Sequence, residues 1–110
     1  MTYFYERTEV ARREPVPGVG MRAVWGDKVM MNWVDLAPKA VVPLHSHPHE
    51  QAGIVLEGQI EMTIGGETRV IGVGDAYVIP GGVEHKAVGS DKPSLVLDIF
   101  SPPREDYKGS

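Results

Sequence analysis

The chain has 110 residues, a length that suits one domain with a single core, and we expect residues 1–110 to form that domain. It contains no cysteine, which excludes disulfides and thiolate metal sites, so any metal must be held by nitrogen and oxygen. The formal net charge is -4 and there is no basic cluster beyond Arg12-Arg13, which argues against a nucleic-acid partner.

The first fifteen residues, MTYFYERTEVARREP, alternate aromatic and charged side chains. They contain no apolar run long enough for a signal peptide or a membrane span. We therefore expect a cytoplasmic protein that does not cross a membrane.

The middle of the chain is divided by glycine and proline into short, often alternating apolar runs, which predicts an all-β barrel or sandwich. Gly65-Gly66 is the strongest hairpin signal, because a two-residue glycine loop joins two such runs. The only weak helical candidate is residues 9–14, which Pro15 and Pro17 would end. We expect strands over residues 21–26, 29–37, 51–58, 59–64, 67–71, 75–79 and 94–100.

Three of the four histidines lie in the stretch HSHPHEQ. On an extended segment, residues i and i+2 point to the same face about 6.5 Å apart, so His45 and His47 can reach one metal ion. Pro43 and Pro48 flank the pair and stiffen its backbone. A histidine-rich loop can also be simply solvated, and for His49 we expect a surface or supporting role.

A second segment, GDAYVIPGGVEH, delivers the fourth histidine after a Pro-x-Gly turn. The two segments resemble the two motifs of the cupin family, and this resemblance implies a cupin double-stranded β-helix, or jelly-roll barrel. The residues that carry it are His45, His47, position 51 and Gly58 in the first motif, and Gly74, Pro80, Gly82 and His85 in the second.

Three positions depart from the cupin pattern. Lys39 replaces a glycine and Gly89 replaces an asparagine, and we interpret both as structural losses. The acidic position of the first motif is Gln51. Glu50 lies beside it, but alternation would turn Glu50 to the opposite face, so we favour Gln51 as the ligand.

The expected ligands are thus three neutral imidazoles and one neutral amide, which leave the full charge on a dication and make it a strong Lewis acid. The two-histidine, one-carboxylate triad of non-haem iron oxygenases is absent, which favours hydrolytic, lyase or isomerising chemistry over oxygen chemistry. We expect one divalent transition metal; zinc, nickel, manganese, cobalt and iron all remain open.

In the run SLVLDIF, Val96, Asp98 and Phe100 share one face of the strand. An aspartate within an apolar strand is costly to bury unless it is paired or used, although alternation equally permits Asp98 to face solvent. The following residues, 101–110, are proline-led and polar, and composition alone predicts a frayed tail.

With its glutamine at the acidic position and its closing DIFSPPRED, the sequence resembles the KdgF-type cupins of pectin and alginate breakdown. Those proteins open the ring of 4,5-unsaturated uronate monosaccharides to give the linear keto form. The resemblance implies a metal held by His45, His47, Gln51 and His85, and a site lined by Asp98, Phe100 and Arg104. It also implies an ordered tail. We expect a carboxylated sugar as substrate, with Asp98 moving a proton, Arg104 clamping the carboxylate and Phe100 excluding water.

Other readings stay open at this point. Polyketide cyclases of the cupin class also resemble the three-histidine, one-glutamine site, a dioxygenase would need a redox-active metal, and a non-catalytic cupin would bind a small molecule unchanged. Cupins commonly dimerise, so the resemblance implies a homodimer to which residues 1–20 contribute. Tyr3, Phe4 and Tyr5 would suit that contact, or they could cap the chain's own barrel.

Overall fold

The structure is a computed structural model that describes residues 2–109, so Met1 and Ser110 of the expected domain lie outside the described residues. Residues 2–109 form ten β-strands and two single-turn 3-10 helices, which confirms the all-β prediction. The 3-10 helices are Arg7–Glu9 and Glu105–Tyr107. The strands are β1 (Arg13–Val16), β2 (Val19–Trp25), β3 (Met30–Leu36), β4 (Val41–His45), β5 (Glu50–Glu57), β6 (Gln59–Ile64), β7 (Glu67–Gly72), β8 (Ala76–Ile79), β9 (His85–Gly89) and β10 (Ser94–Ser101).

The strands form two antiparallel sheets. The larger has the order β1-β2-β3-β10-β5-β8 and the smaller β4-β9-β6-β7. Alternate side chains of both sheets point inward and meet in one apolar core, as expected for a jelly roll. The core residues are Val19, Met21, Val34, Leu36, Ala40, Val55, Ile60, Met62, Ile79, Ala87 and Val96.

The seven predicted strands all occur, with ends that move by no more than two residues. The predicted hairpin is the turn between β6 and β7, where Ile64 pairs with Glu67. Gly65 and Gly66 adopt φ values of 55° and 85°, as the two central positions of a type I′ turn require. The glycine pair therefore sets the register of this hairpin.

Three strands were not predicted, namely β1, β4 and β9. The helical candidate over residues 9–14 is wrong, because its end belongs to β1, where Arg13 pairs with Met21. Both β1 and β4 contain a proline, and both are edge strands, where a missing N–H is tolerated. Within residues 2–109, no helix has the length and apolar character needed to cross a membrane.

Candidate functional site

Three imidazoles meet at one end of the barrel. His45 ends β4, His85 begins β9, and these two residues are direct cross-strand partners. His47 lies in the turn between β4 and β5. One nitrogen from each of the three rings lies within 4.8 Å of the others, close enough to hold one metal ion after small adjustments. We call His45, His47 and His85 the imidazole cluster.

Each ring of the imidazole cluster has a fixed tautomer. A carbonyl oxygen can only accept a hydrogen bond, and each Nδ1 faces a backbone carbonyl two residues away, so Nδ1 carries the proton. The Nε2 lone pair is then available to a metal, as in many metal sites. The pairs are His45 with Pro43 at 2.8 Å, His47 with His49 at 3.1 Å and His85 with Val83 at 2.9 Å.

Burial keeps two of these imidazoles neutral. It lowers the pKa of His47, and the positive charge of Arg104 lowers it further. Burial also lowers the pKa of His85, whose Nε2 atom is buried and has no hydrogen-bond partner within residues 2–109. Neutral imidazoles with an unpaired Nε2 are the form that binds transition metals, so these residues fit a divalent cation.

Gln51 completes the donor set. Its side chain is buried, whereas Glu50 is exposed, the orientation that strand alternation predicts. The Oε1 atom of Gln51 lies 3.0 Å from Nε2 of His47. With the proton of His47 on Nδ1, both of these atoms are acceptors, and a cation bound by both would relieve their mutual repulsion. This arrangement is the second observation that fits a metal.

The two histidine-bearing segments contact each other directly. The backbone N–H of Gly82 donates to the carbonyl of His47 at 2.8 Å, and Gly82 has a φ of 83°. A side chain at Gly81 would overlap the carbonyl of Pro48. The Pro-x-Gly turn thus packs on the turn that carries His47.

Lys39, the departure from the motif glycine, adopts a φ of 64°, in the left-handed region that favours glycine.

A cavity opens beside the imidazole cluster, and its polar wall crosses the larger sheet. Asn32, Asp98, Gly53 and Tyr77 lie side by side on β3, β10, β5 and β8, and we call them the Asp98 row. Three of their side chains face the cavity, together with Gln51. Asp98 therefore faces the interior rather than solvent, and Val96 and Phe100 of the same strand face line the cavity with it.

The hydroxyl of Tyr77 donates to Oδ1 of Asp98 at 2.5 Å. The two side chains meet across Gly53, where a Cβ atom would overlap both of them. Burial raises the pKa of Asp98 to about 6, although hydrogen bonds from Tyr77 and Gln51 and the charge of Arg104 oppose that change. Burial and the charge of Asp98 raise the pKa of Tyr77 well above its usual value, so Tyr77 keeps its proton and remains a donor.

Phe100 and Arg104 close the cavity from the side of the C-terminal segment. Phe100 is buried, and its ring lies 5.7 Å from that of His47 in a T-shaped arrangement. Arg104 is 9% exposed, and its guanidinium carbon lies 3.9 Å from the ring centre of Tyr107. Residues 103–107 therefore pack against the barrel, and the frayed tail that composition alone predicted is wrong for them.

The guanidinium of Arg104 already has a partner. Its Nε and Nη2 atoms donate to the carboxylate of Asp106 at 3.3 and 2.8 Å. Asp106 is itself exposed. Any anion bound by Arg104 must therefore use Nη1 or displace Asp106, which sequence reasoning did not anticipate.

The structure thus brings together all seven residues that the sequence singled out: His45, His47, Gln51, His85, Asp98, Phe100 and Arg104. It adds Asn32, Tyr77 and Tyr107, which sequence reasoning missed. Asn32 could have been found as the polar residue at an inward position of an alternating strand, and Tyr77 as the residue two before the buried Ile79.

A two-sheet jelly roll with this histidine pattern at one end is the architecture of the cupins. The Cupin domain family matches residues 32–100, and the chain belongs to that family. Pectin degradation protein KdgF of Dickeya dadantii is 37% identical over 84 residues, which cover 76% of each chain. KdgF from Halomonas sp. superposes with a TM-score of 0.90 at 34% identity, over 97% of this chain and 99% of that chain.

A third similar structure is the polyketide cyclase RemF from Streptomyces resistomycificus. It superposes with a TM-score of 0.83 at 26% identity, over 96% of this chain and 82% of that chain. The chain is therefore a KdgF-like cupin with a group of three histidines that could hold a metal.

Proposed function

We propose that the protein is a metal-dependent enzyme that opens the ring of 4,5-unsaturated uronate monosaccharides to give the linear keto form. The observation that carries the proposal is the placement of Asp98, which Tyr77 holds by a hydrogen bond in the same cavity that His45, His85 and Gln51 line. The similarity to two KdgF proteins supports the choice of reaction.

His45, His47, Gln51 and His85 would hold one divalent transition metal: zinc, nickel, manganese, cobalt or iron. When bound, the cation would supply Lewis acidity toward an oxygen of the sugar. Proton transfer, binding of the sugar carboxylate and exclusion of water would be performed by the protein's own side chains.

Ring opening is an isomerisation in which no atom is gained or lost. The bond between C1 and the ring oxygen breaks, the hydroxyl on C1 loses its proton, and C4 gains a proton as the enol becomes a ketone. Asp98 would exchange this proton with the sugar, a general acid and base role worth about 10² to 10⁴ in rate. Tyr77 would hold the carboxyl in place, since its hydroxyl donates to Oδ1.

The carboxylate of the sugar would bind Arg104, whose planar guanidinium suits it. Because Nε and Nη2 are engaged by Asp106, the sugar would take Nη1 first. Phe100 would keep water from the face of the site beside His47, because its buried ring lies against that imidazole.

The test is a direct assay of ring opening. Metal-loaded protein is mixed with unsaturated galacturonate, or with the unsaturated sugar released from mannuronate or guluronate polymers. Loss of the ultraviolet absorbance of the conjugated double bond is followed against the uncatalysed rate and a chelated control. We expect acceleration that disappears on chelation. Fully loaded protein that does not accelerate the loss would remove the proposal.

The structural similarity to a polyketide cyclase favours a second candidate, the cyclisation of a polyketide. The cavity wall beyond the Asp98 row is apolar, formed in part by Met21, Val34 and Leu36, and it would suit such a substrate. The same protein preparation distinguishes the candidates, because a cyclase would leave the uronate absorbance unchanged. Oxygen uptake with either substrate would instead indicate a dioxygenase, and binding without turnover a non-catalytic cupin.

We also propose that the protein acts as a homodimer and is cytoplasmic, with residues 1–110 as one domain. Tyr3, Phe4 and Tyr5 are exposed aromatic residues of the N-terminal segment, and burial against a second copy would remove them from water. A sizing column tests the dimer, and alanine at Tyr3 and Phe4 should shift the protein toward the monomer.

A further inference from the structure

Asn32 is a buried amide whose hydrogen-bonding groups are unused. It lies in the middle of β3, where the other inward residues, Met30, Val34 and Leu36, are apolar. Its exposure is 0%, and neither Oδ1 nor Nδ2 has a hydrogen-bond partner within residues 2–109. An apolar side chain of similar shape at this position would make the folded protein more stable, because a buried amide without partners loses its hydration and forms no hydrogen bond in return.

The Asn32 side chain lines the cavity and is the cross-strand partner of Asp98. Directly opposed residues of an antiparallel pair have Cβ atoms about 4.5 to 5.5 Å apart on one face. Asp98 is therefore flanked on one side by Tyr77, reached across Gly53, and on the other by Asn32. The hydroxyl of Tyr77 already donates to one oxygen of the Asp98 carboxylate, whereas the amide of Asn32 makes no hydrogen bond with that carboxylate.

We propose that Asn32 is a substrate-binding residue that takes a hydroxyl group of the sugar next to the point where Asp98 transfers its proton. An amide offers both a donor and an acceptor, as a hydroxyl does, so one amide can pair with a hydroxyl in both senses or with two neighbouring hydroxyls. This inference rests on the proposed function and adds to it a contact that selects for hydroxylated rings over deoxygenated ones.

A matched control lies at the start of β10. Ser94 is also buried, at 4% exposure, and its Oγ atom also has no hydrogen-bond partner in the described part of the chain. It does not line the cavity. Replacing either residue removes a buried, unpaired polar group, but only Asn32 is placed to contact the sugar.

The experiment compares Asn32→Leu with Ser94→Ala in thermal stability, metal content and kinetics on the unsaturated uronate. Both variants should melt at or above the wild-type temperature with unchanged metal content. Asn32→Leu should raise KM about tenfold with little change in kcat, because a contact made before and during the reaction is lost, whereas Ser94→Ala should keep both constants. Asn32→Ala serves the same comparison if leucine prevents folding.

An unchanged KM in the Asn32 variants overturns the inference. If the wild-type protein does not open the ring, the proposed function fails. The role of Asn32 in binding is then tested with saturated galacturonate, by the change that this sugar causes in the melting temperature. Stabilisation of the wild type and Ser94→Ala but not of Asn32→Leu upholds the contact. Equal stabilisation of all three proteins, or of none, overturns it.

Discussion

The imidazole cluster and the Asp98 row lie in one site but are built in different ways. Each ring of the cluster is oriented by a backbone carbonyl only two residues away in sequence. The Asp98 row combines residues from four strands, and its central hydrogen bond joins Tyr77 and Asp98, which are 21 residues apart. The rings of the cluster are thus oriented by local backbone, and the row is held by side-chain contacts across the sheet.

This difference implies that the two regions can be disrupted separately. A side chain removed from the Asp98 row leaves the turns that orient the imidazoles intact, so metal retention should survive while turnover falls. A ligand removed from the imidazole cluster should abolish both. The variants below test this separation.

The largest effect is expected for His85→Ala. Because His85 supplies the buried Nε2 atom of the cluster, its loss should remove the metal after dialysis and reduce turnover to the uncatalysed level. Metal content by elemental analysis and the ultraviolet assay measure the two outcomes. His49→Ala is the control, because His49 packs its ring against His47 and offers its backbone carbonyl to it but is not one of the three grouped imidazoles. One metal per chain retained in His85→Ala would contradict the ligand assignment.

Asp98→Asn should come next, with turnover lower by about 10² to 10⁴ and metal content unchanged, since an amide cannot exchange the proton. The carboxamide has nearly the same shape as the carboxyl, so the fold should be kept. Asp91→Asn, at an exposed position paired with Lys39, controls for the change in net charge. Full turnover in Asp98→Asn would mean that another group moves the proton.

Tyr77→Phe keeps the ring and removes the hydroxyl that donates to Asp98. We expect kcat to fall about tenfold, the effect of one lost hydrogen bond to a charged group, with KM and metal content near the wild-type values. Gly53→Ala disturbs the same pair from the other side, because its Cβ would overlap both side chains. Wild-type kcat in both variants would show that Asp98 needs no such support.

Two members of the imidazole cluster, His45 and His47, could be predicted from their local spacing, whereas the third, His85, was placed beside them by the resemblance to the second cupin motif. His45 ends β4 and His47 follows two residues later, and a glycine turn precedes His85, which joins them through the pairing of β4 with β9. Strand alternation put Asp98 and Phe100 on one face, and both line the cavity. Period-two patterning and turn chemistry are properties of short segments, so they can be read without knowing how the strands pair.

Strand pairing is what the sequence did not reveal. Tyr77 reaches Asp98 only because β8 and β10 both pair with β5 and their registers meet at Gly53. A glycine within a strand can signal such a close approach, but it does not name the residues that approach. The unpredicted strand β9 is also short, five residues long, and its apolar content is low, so it is recognised as a strand only from its neighbours β4 and β6.

The smallest effect is expected for Arg104→Ala, because Arg104 belongs to neither region. Its loss should leave metal content and kcat nearly unchanged and raise KM for the charged sugar about three- to tenfold, the effect of one charge-assisted contact. Arg104→Lys is the matched control, since it keeps the charge but not the planar fork. Asp106→Asn should have the opposite effect, because it weakens the competitor that holds Nε and Nη2 and so makes them available to the sugar carboxylate. If KM stays at the wild-type value in both Arg104→Ala and Asp106→Asn, the pair of Arg104 with Asp106 serves only to order the C-terminal segment, and the sugar carboxylate must bind elsewhere in the cavity.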